Sequence, residues 1–502
     1  MRKKQFFLNT VTSIVNMLVS LACGFILPRF ILMSYGSGVN GLVSSINQFL
    51  AFISFMDLGV GAVVQSAYYK PLAHNETEEI SKLYVSSKKY FNIIAFIILG
   101  YVIALSLVFP VIVQDDYSYF ETAALVLIMG IGLFAQYFFS VTDQLLLNAD
   151  QKLYVQTCFQ IGTVIANTVL SVVLIMIGAS IHVVKFGSSL VFLTRPLFFR
   201  YYVNKHYQIN KKVDISHYVI DQKWNGLAQH VATVVMNNTD IMILSVLANI
   251  YAVSIYSVYA MITNGIKQLI TAMSNGFTSL LGDLYARKEK EKLDEVFSLF
   301  EWSIHQIVII LYSIAVPLCV PFVMVYTKGV TDADYSQPLF SLILIAGQIV
   351  FCIRIPYNTM ICSAGHYKQT QASAIIEAVL NITISLIVVS RFGLVGVAIG
   401  TFFAITYRTI YFTVYLRNNI LFRKYSLFTK LLLYDVIEFI VIATGGRWII
   451  SFLPNITSYY QFFGYGLLLL ALSSAFLIIF NLLFYKNNLV LCFHYINSRL
   501  KR

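Results

Sequence analysis

FLTRPLFFRYYV at 192–203 and ITYRTIYFTVYL at 405–416 read as one helix written twice. Each is an apolar, aromatic run broken by an arginine, and the register places Arg195 on Arg408. Working back along the chain, IANTVLSVVLI at 165–175 faces VLNITISLIVV at 379–389, with Asn167 on Asn381 and a period of about 214 residues. NADQK at 148–152 faces SAGHY at 363–367. MDLGVGAVVQSAYYK at 56–70 faces MSNGFTSLLGDLYAR at 273–287, aligning Gly59 with Gly276, Tyr68 with Tyr285 and Lys70 with Arg287. Matched apolar residues carry little information in so hydrophobic a chain. The matched Asn, Arg and Gly carry the case for an internal repeat.

The 502 residues are 58% hydrophobic and 12% charged, with a mean hydropathy of +0.75. No soluble domain could hide that much apolar surface, so the chain is expected to be an all-α integral membrane protein. Stretches long enough to cross about 30 Å of hydrocarbon as helix recur along it. Fourteen are expected, at 7–33, 40–68, 90–110, 119–145, 153–177, 180–203, 224–247, 250–282, 300–326, 338–363, 369–390, 393–416, 427–452 and 462–485. The repeat groups them into a lobe at 1–214 with spans 1 to 6, a lobe at 215–425 with spans 7 to 12, and a terminal pair at 426–502. An even number of helices per unit gives both lobes the same orientation, a parallel pseudo-twofold about the membrane normal, and implies a central cavity between them.

Twenty-eight of the 35 Lys and Arg fall in segments expected on one side of the membrane, from Arg2, Lys3 and Lys4 through Arg195 and Arg200 to Arg499, Lys501 and Arg502. The opposite connections, SYGSG at 34–38 and QDDYSYFE at 114–121, are neutral or acidic. Short loops rich in Lys and Arg stay in the cytoplasm, so both termini are expected inside. The net charge of +12 is then topogenic, and nucleic-acid binding is not expected. Cys23, Cys158, Cys319, Cys352, Cys362 and Cys492 lack metal-ligand spacing and read as packing residues. All connections between spans are short, the longest running between 68 and 90, which leaves no room for a catalytic domain.

Charges inside spans cost several kcal/mol unless they meet water, a partner or a ligand. Three cations stand out: Arg29 after Pro28, Lys267 in span 8, and Arg354 two residues before Pro356. They are candidates for cavity residues that bind an anionic group such as a diphosphate, Arg as a bidentate fork and Lys as a point charge. Asp57, Asp240 and Glu377 are the acidic counterparts. These could couple transport to a proton or sodium ion, or pair with the cations as buried salt bridges. His230 and His305 read as hydrogen-bonded helix residues. No metal or cofactor is expected.

GFILPRFI at 24–31, MDLGVG at 56–61 and NNTDIMILSVLANIYAVSIYSVYAMI at 237–262 resemble motifs of the polysaccharide flippases, the Wzx or PST branch of the MOP (MATE-like) exporter superfamily. The resemblance covers nearly the whole chain. It implies two lobes with alternating inward and outward openings, and it implies movement of undecaprenyl-diphosphate-linked oligosaccharide repeat units to the outer leaflet for surface polysaccharide synthesis. It also implies a bacterial cytoplasmic membrane, partner polymerases and glycosyltransferases, and a lipid groove involving Arg29 and 427–485. Two other readings remain open: an ion-coupled small-molecule antiporter of the MATE type, which usually stops at twelve spans, and a membrane polysaccharide polymerase, which should carry a large outer loop.

Overall fold

The computed structural model describes residues 2–53, 60–113, 117–215, 227–486 and 488–489. Among them all regular structure is helical. The first part of the chain forms α1 (Arg2–Phe52), α2 (Val60–His74), α3 (Thr77–Ile112), α4 (Tyr119–Ala135), α5 (Val141–Ala149), α6 (Leu153–Met176), α7 (Ile181–His206) and α8 (Leu227–Leu247). Then come α9 (Ile250–Ala286), α10 (Lys290–Tyr326), α11 (Pro338–Ile353), α12 (Ile355–Ser363), α13 (Tyr367–Leu416), α14 (Tyr425–Ser451) and α15 (Tyr459–Phe484). Among the described residues, eight stretches are long and apolar enough to cross a membrane, from Phe7–Phe52 to Tyr459–Phe484. The chain is a multi-pass membrane protein. Apolar side chains such as Phe96, Leu197 and Leu483 stay exposed, as they should where the solvent is hydrocarbon.

Breaks in the helices have local causes. α1 bends at Gly36 (φ 83, ψ 178) and α13 at Gly393 (φ 50, ψ −124). Residues with a side chain rarely adopt positive φ, so each glycine turns the chain between two arms without a loop. The SYGSG connection is thus a one-residue break. Between α11 and α12 the helix breaks at Arg354, because Pro356 lacks an N–H and its ring crowds the carbonyl four residues earlier. Between α4 and α5 a π-helical turn, Gln136–Ser140, inserts an extra residue without ending the helix.

Packing divides the chain into Met1–Ser254 and Ile255–Arg502. In the first unit α1 packs on α6 and α8, α3 on α4, and α7 on both α4 and α6. In the second, α11 packs on α13, while α14 and α15 both lie against α10. Phe159 and Phe198 stack at 4.0 Å across the α6–α7 contact. Within hydrocarbon, apolar burial does not hold helices together, so close backbone approach and interhelical hydrogen bonds matter more. In the first unit the second arm of α1 uses both. Asn40 donates to Ser254 at 2.8 Å, Ser45 and Ser245 pair at 2.7 Å, and Gly41 lets α1 meet the Ile250 carbonyl. A Cβ on Gly41 would collide with that carbonyl. Gly41→Ala is therefore expected to cost about 1–3 kcal/mol of overpacking strain, read as a lower thermal midpoint of the purified protein; an unchanged midpoint would show that the contact yields freely.

Candidate functional site

A cavity of about 640 Å³ opens inside the first unit. Polar residues reach it at helical spacing from three directions. Gln136, Ser140 and Gln144 come four residues apart from the π turn and α5; Gln156, Gln160 and Asn167 come from α6. α7 contributes Lys185, Ser188, Ser189 and Arg195, and Asn47 enters from α1. Residues three and four apart share one face of a helix, so each element turns a polar stripe inward while its other faces stay apolar. π turns of this kind are frequent at functional sites.

Hydrogen bonds hold part of the lining in place. Gln144 Nε2 donates to Ser140 Oγ at 2.5 Å and Gln156 Nε2 to Gln144 Oε1 at 3.2 Å. Arg195 Nε donates to Thr163 Oγ1 at 2.6 Å, and its guanidinium lies 4.6 Å from the centre of the Phe192 ring. Other groups are left over. Asn167 Oδ1 and Gln156 Oε1 are buried without a hydrogen-bond partner. Lys185 makes no hydrogen bond or ion pair among the described residues, and no Asp or Glu lines the cavity. Two cations in a low-dielectric, amide-rich pocket form a receptor for an anion with hydroxyl groups.

The second unit repeats the arrangement with one decisive change. Arg408, the partner of Arg195 in the repeat, is 5% exposed and donates Nη1 to Glu377 Oε2 at 2.6 Å. Arg354 donates Nη1 to Glu377 Oε1 at 2.5 Å. Extending the register of 165–175 and 379–389 by two residues puts Glu377 opposite Thr163. Where the first unit offers its arginine a neutral hydroxyl, the second offers a carboxylate shared by two arginines. Phe351 and Phe412 complete the cluster, with Arg354 5.0 Å from the Phe351 centroid and Arg408 4.9 Å from that of Phe412.

The residues singled out in the sequence fall into separate groups. Lys267, 4.8 Å from the Phe351 centroid, joins Arg354 and Glu377 around that ring in the second unit. There Arg354 and Glu377 have the geometry of a buried salt bridge. Arg29 is half-buried on α1, two residues from the cavity-lining Leu27, and Asp240 is buried on α8. Asp57 and the His230 side chain lie outside the described residues. Sequence reasoning passed over Lys185, and it assigned Arg195 to the cytoplasmic charge pattern. The signal for both was available: Lys185 is the cation furthest from the basic end of the 180–203 span, and Arg195 lines the same cavity as Lys185 on α7.

No protein-family profile and no curated protein sequence matches the chain. Solved structures do. The lipid II flippase MurJ, in an inward closed conformation, superposes with a TM-score of 0.65 at 15% identity, over 95% of this chain and 99% of that one. An inward-facing multidrug resistance MATE transporter of the MOP superfamily gives 0.61 at 16% identity, over 82% and 98%. A MOP superfamily transporter from Pyrococcus furiosus, described as having a binding pocket of reversed polarity, gives 0.58 at 16% identity, over 83% and 96%. The fold is that of the MOP-superfamily transporters. The MATE-like architecture expected from the repeat is therefore present. MurJ covers nearly all of the chain, whereas the MATE and Pyrococcus matches leave about a sixth of it uncovered.

Proposed function

We propose that the protein is a flippase for an anionic, lipid-linked glycan, of the Wzx or PST kind. It carries undecaprenyl-diphosphate-linked oligosaccharide repeat units from the cytoplasmic to the outer leaflet of a bacterial cytoplasmic membrane, with both termini inside. The observation that carries this reading is the cavity in the first unit, which sets Lys185 and Arg195 among amides and hydroxyls with no acidic residue among its described lining. A diphosphate needs cations, and a sugar needs hydrogen-bond partners in place of water. Each polar group left unsatisfied in hydrocarbon costs several kcal/mol, which blocks unaided crossing of such a headgroup. The extent of the likeness to a lipid II flippase, over 95% of this chain, supports the same reading.

Transport then needs no covalent step, only a change of access between inward and outward states. In the reading put forward here, Lys185 and Arg195 neutralise the diphosphate, and Gln136, Gln144, Gln156, Gln160 and Asn167 take up sugar hydroxyls. A proton or sodium gradient supplies the drive, and polymerase and glycosyltransferases of the same pathway are the partners. A MATE-type antiporter shares the fold but would present acids to an organic cation, and this cavity is of the opposite sign.

The test is transbilayer movement of a fluorescent polyprenyl-diphosphate oligosaccharide in proteoliposomes. Wild type should move it, and Lys185→Ala should slow it about ten- to a hundredfold, from the loss of one charge-assisted contact of about 1.5–3 kcal/mol. A wild-type protein that leaves this lipid in place and exchanges small organic cations for protons or sodium would overturn the flippase reading in favour of the antiporter.

A further inference from the structure

A second polar array lies inside the second unit, where α14 and α15, which the repeat does not include, pack on α10. Asp435 and Glu438 sit one turn apart on α14, 1% and 0% exposed. Facing them on α10 are His305 and Gln306. His305 Nδ1 lies 2.7 Å from Asp435 Oδ2, and Gln306 Nε2 donates to Glu438 Oε2 at 2.9 Å. α15 supplies Asn481, which donates Nδ2 to Gln306 Oε1 at 2.6 Å and accepts from Trp302 Nε1 at 3.0 Å. The remaining oxygens, Asp435 Oδ1 and Glu438 Oε1, are buried without a hydrogen-bond partner, as is the nearby Tyr485 hydroxyl.

The charge balance around these groups requires a proton. Arg423 donates to Glu301 at 2.9 Å and also engages Asp294 and Ser298, so its charge is used nearer the start of α10. No other Lys or Arg contacts Asp435 or Glu438 among the described residues. Two carboxylates therefore face one imidazole with Tyr357, Tyr434 and Tyr485 around them, and a buried carboxylate without a counter-charge takes up a proton instead.

The array also has an inlet. A cleft of about 40 Å³, lined by Glu301, Tyr357, Arg417, Arg423 and Lys424 among others, is large enough for ordered water. From it the Tyr357 hydroxyl reaches both Glu301 and, at 3.4 Å, His305 Nε2.

We propose that Glu301, Tyr357, His305 and Asp435 form a proton relay from this cleft to a proton-binding site at Asp435 and Glu438. A proton from water binds Glu301. Glu301 passes one to the Tyr357 oxygen as that hydroxyl releases its own to His305 Nε2. The Nδ1–H bond breaks as Asp435 Oδ2 gains the proton, which leaves the imidazole protonated at Nε2; release of the proton by the reverse path restores the Nδ1–H tautomer. One proton enters and one reaches the carboxylate, with no other reactant. Carboxylates and histidine chained inside a helix bundle have the chemistry of such relays. The site is separate from the cavity in the first unit, and its test needs no lipid substrate.

Infrared spectroscopy of the full protein in lipid reads the buried acid directly. Wild type should show a carboxylic acid C=O band that titrates with pH and is reduced in Glu438→Gln or Asp435→Asn. Tyr357→Phe should retain the band but slow its hydrogen–deuterium exchange by about a hundredfold, the scale of one positioned acid–base group. A wild-type spectrum without a titrating acid band would overturn the proposal, and so would Tyr357→Phe exchanging at the wild-type rate. The conservative Tyr357→Phe and the wild-type spectrum keep the test decisive if the carboxylate variants fail to fold.

Discussion

Thr163→Glu should abolish glycan-lipid transport while leaving the protein folded. Arg195 already reaches Thr163 Oγ1 at 2.6 Å, so a carboxylate there would capture the guanidinium as Glu377 captures Arg408 at 2.6 Å in the second unit. The substitution copies into one half an arrangement the other half already holds. It removes one of the two positive charges offered to a diphosphate and adds bulk beside Arg195. A loss of about 3 kcal/mol or more in substrate binding is expected, roughly a hundredfold or greater fall in flipping rate, as for other contacts to charged groups. Thr163→Gln adds the same bulk without the charge and should retain most of the activity. Equal transport by wild type and Thr163→Glu would remove the electrostatic basis of the proposed function, whereas equal loss in Glu and Gln would assign the effect to volume.

Glu377→Ala is expected to be the most destabilising single change in the second unit. It would leave Arg354 and Arg408, both under 10% exposed, without their shared counter-ion. Removing one partner of a buried ion pair costs about 3–5 kcal/mol, because the charge that remains is still desolvated. Phe351 and Phe412 hold part of that charge through their ring faces but cannot accept two hydrogen bonds. The thermal midpoint and the monodisperse fraction in detergent should both fall, and Glu377→Gln should fall less because its carbonyl still accepts one bond. Adding Arg408→Met to Glu377→Ala should recover part of the loss. A midpoint for Glu377→Ala within error of wild type would mean that the arginines find other acceptors, and the carboxylate would then not be structural.

Much of the fold was legible because membrane helices advertise themselves by hydropathy and the repeat preserved Asn, Arg and Gly at matching positions. The turn at Gly36 was visible too, since only a residue that tolerates positive φ can reverse a helix within SYGSG. Helix breaks at Arg354 and at Gln136–Ser140 were harder. The first follows from Pro356, but a π turn leaves no distinct mark in composition. The site was legible only in part. A count of Lys and Arg by segment cannot separate an arginine that faces headgroups from one that faces inward, so Arg195 was absorbed into the topology. Asp435 and Glu438 escaped notice because their partners His305 and Gln306 lie more than 120 residues away, on a helix with which they share no motif.

The exchange of Thr163 for Glu377 at matched positions also says how the two copies have parted since duplication. Both inherited one scaffold, but only one kept an unneutralised arginine, so the load and the frame are now carried by different copies. Under the proposed function, substitutions around Lys185 and Arg195 should change what is carried, and substitutions around Glu377 whether the chain folds. Under that same function, a change of headgroup could therefore be met by remodelling the first half alone, with the second left untouched.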